Sequence, residues 1–281
     1  MTIQRRLICS SHTISGVLPG GLVPARHSFD SRVEACAAAG YTGMCLHFRD
    51  YSWQREAGLS NAELRATLES NGMHEISLEF LVDWFLDGSE GEQARANERT
   101  AYEAADAYRA RSLNVGSDFR GLGIPRSMLR AKFRELCERA GERDLSIALE
   151  IVAWSDVRDV DTALQLVENI PNAGLVIDSW HVFRGQIPLS DIRRIPAEKI
   201  LCIQLNDAEA APHGSLSTDT LFRKLCGEGT FNLRGFLDAL DSTGSTVPIS
   251  VEIISPDFAA LDLETAAHRS YQTAVALLGL A

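Results

Sequence analysis

Four short apolar segments in the second half of the chain each end in a side chain with an oxygen donor. They lie at residues 146–150, 174–178, 200–204 and 248–252. Uninterrupted apolar runs of this length are typical of strands that are buried on both faces of a parallel sheet. The sequence therefore predicts parallel strands whose carboxyl ends carry Glu150, Asp178, Gln204 and Glu252.

Strand-like and helix-like patterns alternate along the whole chain. Strands are predicted at residues 7–10, 42–46, 74–80, 112–115, 145–150, 173–178, 200–205 and 247–252. Helices are predicted at residues 29–39, 60–71, 92–110, 125–141, 160–170, 189–195, 233–240 and 263–278. Ser60 and Glu63 have the spacing of a capping box at one helix start. Eight strand–helix units in order predict an α/β fold, a single (β/α)8 TIM barrel domain over residues 1–281. A Rossmann fold is disfavoured because the glycines at 116–123 have the wrong spacing for a dinucleotide turn.

Net charge, apolar runs and cysteine spacing limit the partners and the cellular compartment expected for the protein. The formal net charge of -11 would repel nucleic-acid phosphates and anionic lipid head groups, so neither nucleic acid nor membrane is an expected partner. The first nine residues lack the apolar run of a signal peptide, and no segment is long enough to span a membrane. The six cysteines are widely spaced within apolar runs, which is typical of reduced thiols in a cytoplasmic protein. The sequence does not determine the oligomeric state, and it is compatible with a homo-oligomer.

The four predicted strand ends suggest a metal site. In a barrel the carboxyl ends of the strands meet at one mouth, where three carboxylates would repel one another without a cation among them. An all-oxygen donor set suits one divalent ion such as Mn, Mg, Co or Zn. A single acid at a strand end is more often a helix N-cap or an ion-pair partner, so the inference depends on the set of four.

Segments 148–150, 176–181, 203–207, 227–232 and 250–253 resemble the xylose-isomerase-like barrel superfamily, the group that contains sugar phosphate isomerases and epimerases. The resemblance implies that Glu150, Asp178, Gln204 and Glu252 are the metal ligands. Many sugar epimerases of this group have histidine at the strand-seven position. The glutamine found here, Gln204, instead resembles the residue at this position in some dehydratases of the superfamily that act on dehydroshikimate. The resemblance therefore leaves both epimerisation and dehydration open.

Further polar and aromatic residues are expected near the mouth, and each has a structural alternative. His181 can contact substrate or metal, or it can be a packed histidine. Arg184 can bind a substrate carboxylate or form an ion pair with one of the many acids. Glu79 and His47 can touch the substrate or orient a ligand. Trp84 belongs to a group of tryptophans that can stack on a ring-shaped substrate or simply pack. The Gly-Glu-Gly segment at 227–229 is predicted to be structural.

The predicted chemistry is proton abstraction next to a carbonyl. A metal that binds the carbonyl and an adjacent hydroxyl acidifies the neighbouring C–H, and Glu150 and Glu252 can serve as base and acid. Returning the proton gives isomerisation or epimerisation of an unphosphorylated keto-sugar or polyol, which is the main prediction. Loss of a β-hydroxyl gives a dehydratase or lyase, the alternative, acting on a keto-cyclitol or dehydroshikimate. A non-catalytic binding barrel is the third hypothesis. The loop at 254–258 lacks the glycines of a barrel phosphate site.

Overall fold

A computed structural model describes residues 5–20 and 23–280. Its eight parallel strands are β1 Leu7–Ser10, β2 Gly43–His47, β3 Glu75–Leu81, β4 Ser112–Val115, β5 Ser146–Glu150, β6 Ala173–Asp178, β7 Ile200–Leu205 and β8 Ile249–Val251. Each strand pairs with the next, and β8 pairs with β1, where Leu7 is opposite Ile249. The predicted fold, a closed (β/α)8 barrel, is confirmed.

Helices connect the strands around the outside. They are α1 Ser11–Ile14, α2 Phe29–Ala39, α3 Phe48–Glu56, α4 Asn61–Ser70, α5 Gly88–Tyr108, α6 Arg126–Gly141, α7 Val160–Val167, α8 Ser179–Arg184, α9 Leu189–Ile192, α10 Leu216–Asp219, α11 Leu233–Asp241, α12 Pro256–Ala259 and α13 Leu263–Leu278. Short 3-10 turns lie at Ala197–Lys199 and Thr220–Phe222. The eight helices expected from the sequence are present with small shifts at their ends. The regular elements that were not predicted, α3 among them, follow directly after strands or lie in the long loops.

Local signals in the sequence explain the helix ends. At the start of α4 the Ser60 hydroxyl accepts a hydrogen bond from the Glu63 amide at 3.2 Å, and the Ser60 amide donates to the Glu63 carboxylate at 2.8 Å. This is the predicted capping box. Helix α2 ends at Gly40, whose φ of 113° favours glycine, and a Cβ there would lie 2.6 Å from the Tyr271 ring.

The core fills the barrel and the layer between strands and helices. Strand residues such as Leu46, Leu78, Leu149 and Ile177 are fully buried. All six cysteines are buried and free, as expected for reduced thiols. Across residues 5–20 and 23–280, no helix has both the length and the apolar character needed to cross a membrane.

Candidate active site

The four predicted donors all lie at the carboxyl end of the barrel. Glu150 and Asp178 are the last residues of β5 and β6, Gln204 is near the end of β7, and Glu252 follows β8 directly. Each is at most 6% exposed. In the sheet register Asp178 is paired with Gln204, and Gln204 is paired with Ser250, two residues before Glu252. This register brings the four side chains to one mouth, as the sequence predicted.

The possible metal-binding atoms fall into two groups. Glu150, Asp178 and His181 each offer a ligand atom within 4.8 Å of the others, and we call this the β5–β6 group. A second trio meets the same criterion through His12, Glu79 and Glu252, and we call it the β1–β3–β8 group. Gln204 belongs beside the second group, since its Nε2 donates to Glu252 Oε1 at 2.9 Å.

A buried arginine links the two groups. Arg223 Nη1 donates to Asp178 Oδ2 at 2.8 Å and to Glu252 Oε2 at 2.5 Å. Its Nη2 donates to Thr220 Oγ1 at 3.0 Å, and the residue is 4% exposed. Two carboxylates from β6 and from the end of β8 thus converge on one positively charged nitrogen. Burial alone would lower the pKa of Arg223, but Asp178 and Glu252 outweigh it and raise the pKa.

Asp178 caps a helix and also pairs with a buried arginine. Its Oδ1 accepts from the Trp180 amide at 2.6 Å, which caps α8, and also from Asn206 Nδ2 at 3.2 Å. Its Oδ2 faces Arg223. Burial opposes ionisation of Asp178, yet Arg223 and His181 keep its pKa below the ordinary value. The carboxylate therefore caps the helix through one oxygen while the Arg223 guanidinium donates to the other.

Helix α8 places His181 one turn beyond Asp178. His181 Nδ1 accepts a hydrogen bond from the Ala153 amide at 3.3 Å, and its Nε2 lies 3.3 Å from Glu150 Oε1. Because Nδ1 is an acceptor, the ring N–H that faces Glu150 is on Nε2. Trp154 and Trp180 pack around this imidazole with ring centroids 5.2 and 5.1 Å away.

Glu79 and His47 both lie at the mouth. Glu79 Oε1 accepts a hydrogen bond from Ser10 Oγ at 2.9 Å, and that hydroxyl lies 3.2 Å from Glu252 Oε1. Burial raises the pKa of Glu79 to about 7, and burial also raises the pKa of Glu252 well above its ordinary value. His47 Nδ1 caps α3 by accepting from the Arg49 amide at 3.2 Å. Burial lowers the pKa of His47 to about 4, so the ring is neutral at pH 7.

Two residues considered for substrate binding have strong contacts within the chain. Arg184 Nε donates to Asp219 Oδ2 at 2.6 Å, and Nη2 donates to the Glu209 carbonyl at 2.8 Å. These contacts connect α8 to the loop after β7. They correspond to the alternative in which Arg184 forms an ion pair with an acid of the chain. Trp84 is 5% exposed, and its Nε1 donates to the Gly116 carbonyl at 2.6 Å. It packs edge-on against Phe133, which is the packing alternative.

Sequence reasoning missed Arg223, Ser10, His12 and Asn206. Arg223 comes late in a long loop, 19 residues after Gln204. Asp207 shapes this loop by accepting from the amides of Gly227 at 3.1 Å and Phe231 at 3.0 Å. A Cβ at Gly229 would lie 2.3 Å from Asp207 Oδ1, in agreement with the structural role predicted for the Gly-Glu-Gly segment. The Arg223 amide then donates to the Ile254 carbonyl at 2.9 Å, which fixes the arginine beside β8.

The site also contains polar atoms without a partner. Gln204 Oε1 and Glu79 Oε2 are buried and have no hydrogen-bond partner in the described part of the chain. Unpaired buried acceptors are costly and call for an explanation. Oxygen atoms that accept hydrogen bonds also coordinate divalent cations. The unpaired oxygens beside the buried carboxylates therefore fit such an ion.

Comparison with known proteins assigns the chain to a family. The family model described as xylose isomerase-like TIM barrel matches residues 33–278. The chain belongs to this family. The family assignment agrees with the resemblance seen in the sequence and with the closed barrel.

Individual relatives and solved structures add detail. A 3-dehydroshikimate dehydratase of Pseudomonas aeruginosa is 35% identical over 150 residues, which are 52% of this chain and 23% of that protein. An inosose isomerase of Halalkalibacterium halodurans is 30% identical over 145 residues, 50% of this chain and 51% of that protein. The chain thus matches between about a quarter and a half of these relatives' length. The structure of the IOLI protein with a zinc atom has a TM-score of 0.85 at 20% identity and covers 98% of both chains.

Proposed function

We propose that this chain is a divalent-metal-dependent enzyme that removes a proton next to the carbonyl of an unphosphorylated polyhydroxy ketone. One observation carries the proposal: the carboxylates of Asp178 and Glu252 converge on a single positively charged nitrogen at the barrel mouth. Glu150 and Gln204 stand beside them on β5 and β7. This is the arrangement that a cation and a substrate with several oxygens require.

The cation would be held by Glu150, Asp178, Gln204 and Glu252. Gln204 contributes a buried oxygen that has no partner within residues 5–20 and 23–280. Mn, Mg, Co and Zn all accept this donor set. When bound, the ion supplies electrophilic polarisation of the substrate carbonyl and so acidifies the adjacent C–H.

The proton transfers fall to Glu150 and Glu252. They extend from β5 and from the end of β8, on either side of Asp178 and Gln204 in strand order. One carboxylate takes the proton and the other returns a proton or protonates a leaving hydroxyl. His181 positions Glu150 by donating from Nε2 to its carboxylate. Return of the proton gives isomerisation or epimerisation, and departure of a β-hydroxyl gives dehydration.

Dehydration is the outcome we favour, on a keto-cyclitol acid of the dehydroshikimate type. Arg223 is a buried cation beside the donors, and a guanidinium binds a substrate carboxylate well. The neutral Gln204 and the 35% identity to a 3-dehydroshikimate dehydratase support the same outcome. Isomerisation of a keto-cyclitol is the second candidate, supported by the match to an inosose isomerase at 30% identity.

A substrate panel tests the proposal. Protein stripped with a chelator and reloaded with Mn²⁺ is incubated with 3-dehydroshikimate, inososes and keto-sugars. Dehydration of dehydroshikimate aromatises the ring, so a new ultraviolet band is expected, and Asp178→Asn should lose it together with the metal. Interconversion of inososes seen by NMR would select the isomerase. No turnover of any panel member by the metal-loaded protein would contradict the proposal.

A further inference from the structure

The inside of this barrel is lined by polar side chains. Barrel interiors are ordinarily filled by bulky branched apolar side chains. Here Asn114 Nδ2 on β4 lies 3.7 Å from Cys45 Sγ on β2 and 3.7 Å from Cys202 Sγ on β7. These three strands are not neighbours in the barrel, so the contacts cross its interior. An amide and two thiols therefore occupy the centre of the barrel.

Three polar atoms of the interior have no partner in the chain. Ser77 and Ser250 lie two residues before Glu79 and Glu252, and alternate residues of a strand share a face, so both serines point inward. Ser77 Oγ, Asn114 Oδ1 and Ser250 Oγ are buried without a hydrogen-bond partner in the part of the chain that the structure describes. Buried polar groups of this kind are costly unless something satisfies them. A space lined by such groups holds water, whereas an apolar space of the same size stays dry.

A cavity of about 180 Å³ opens at the amino end of the barrel, opposite the mouth. Ser112, the first residue of β4, lines it, and the cavity extends inward to Ser77 and Cys202. At its rim the Glu75 carboxylate accepts a hydrogen bond from Arg111 Nη1 at 2.8 Å, and the Arg111 side chain is 68% exposed. The cavity therefore joins the solvent at the amino end to the polar interior.

The polar interior continues from this cavity to the mouth. Cys45 is paired with Ser77 in the sheet register. Burial raises the pKa of the Cys45 thiol, and the nearby Glu79 carboxyl raises it further. Glu79 is 2% exposed, and its Oε2 has no hydrogen-bond partner among residues 5–20 and 23–280. A line of polar groups thus leads from the amino end of the barrel to a carboxyl oxygen at the mouth.

We propose that a file of water molecules runs along the barrel axis from the amino-end cavity to Glu79 Oε2. The unpartnered hydroxyl and amide oxygens of the interior would each bind one water of the file. Such a passage admits and releases water at the underside of the mouth while a substrate covers its outer side. The inference goes beyond the proposed function, because it depends on the polar interior and on neither a metal nor a reaction.

Crystallography at high resolution tests whether the file exists. Ordered waters are expected within hydrogen-bond distance of Ser77 Oγ, Asn114 Oδ1 and Ser250 Oγ. Asn114→Leu, which keeps the size of the side chain and removes its polar atoms, should lose the water at this position. An interior without ordered water beside Asn114 and Ser250 in the wild type would overturn the proposal.

Thiol labelling tests whether the file is connected to solvent at the amino end. The full chain is treated with methylmercury, and mass spectrometry follows each cysteine. Cys45 should be labelled before Cys36, which is fully buried on α2 outside the barrel. Ser112→Leu fills the cavity and should abolish the early labelling of Cys45. Ser127→Leu, at an exposed position of α6, is the matched control and should leave it unchanged.

The labelling result can also overturn the proposal. Cys45 that is labelled no earlier than Cys36, or equally early in Ser112→Leu, would show that no passage leads inward from the amino end. Neither measurement needs metal or substrate, so these outcomes leave the proposed function standing. A lack of turnover in the substrate panel would in turn leave the passage standing, so the failures of the two proposals are distinguishable.

Discussion

Glu79→Gln should stabilise the metal-free protein at alkaline pH, although it changes a buried charged residue. The Glu79 carboxyl is buried, and burial raises its pKa from the ordinary 4.5 to about 7. A carboxyl whose pKa is raised by folding stabilises the native state while it is protonated, and this contribution is lost as pH rises from 4.5 through about 7. Glutamine resembles the protonated acid in shape, can still accept from Ser10, and does not ionise.

The size of the expected stabilisation follows from the shift in the pKa of Glu79. One pKa unit corresponds to 1.36 kcal/mol, so a rise from 4.5 to about 7 amounts to roughly 3 kcal/mol. For a chain of this size, 1 kcal/mol moves the thermal midpoint by about 2 °C. Since pH 5 is already above 4.5, about 2.5 kcal/mol of this is lost between pH 5 and pH 8, and in chelator-treated protein the midpoint of Glu79→Gln relative to wild type should rise by about 5 °C over that interval. Differential scanning calorimetry at the two pH values measures this difference.

Glu103→Gln is the control for this experiment, because Glu103 is exposed on α5. Its midpoint relative to wild type should be unchanged between the two pH values. If the advantage of Glu79→Gln were the same at pH 5 and pH 8, or became smaller at pH 8, burial would not be setting the protonation state of Glu79.

Three further predictions concern the donors and their support. Gln204→His should retain or tighten metal while changing activity, because imidazole is the stronger ligand; loss of metal from a folded variant would argue against Gln204 as a ligand. Glu150→Gln and Glu252→Gln should each reduce kcat by roughly 10²–10⁴ if they transfer protons, as steady-state kinetics would show. Arg184→Ala should lower the stability by about 3–5 kcal/mol, because it leaves Asp219 buried and unpaired. An unchanged thermal midpoint with a raised KM would instead assign Arg184 to the substrate.

The parts of the site that depend on strand periodicity could be predicted from the sequence. Apolar runs that end in a donor located Glu150, Asp178, Gln204 and Glu252, because a buried parallel strand exposes its first polar side chain at the barrel mouth. His181 followed from Asp178, since an acid at the end of a strand also caps the helix that begins there. Both inferences use only neighbours along the chain.

The residues that were missed reach the site by tertiary contacts. Arg223 lies in an irregular loop whose path is fixed by Asp207 and by the amide contact to Ile254, and no local periodicity reports such a path. His12 follows β1 within a four-residue helix, which is too short for a periodic signal. Arg184 pairs with Asp219, which is 35 residues away in sequence. Pairing of this kind depends on loop geometry.

Solvent exchange at the reacting carbon tests the central claim most directly. The metal-loaded enzyme is incubated with its substrate in deuterated water and followed by NMR. The carbon-bound proton next to the carbonyl should pass to solvent, with deuterium in recovered substrate or in the isomerised product, and Glu150→Gln or Glu252→Gln should slow this exchange. A proton that moves intact to the adjacent carbon without exchange would show a hydride shift, and it would contradict proton abstraction by these glutamates.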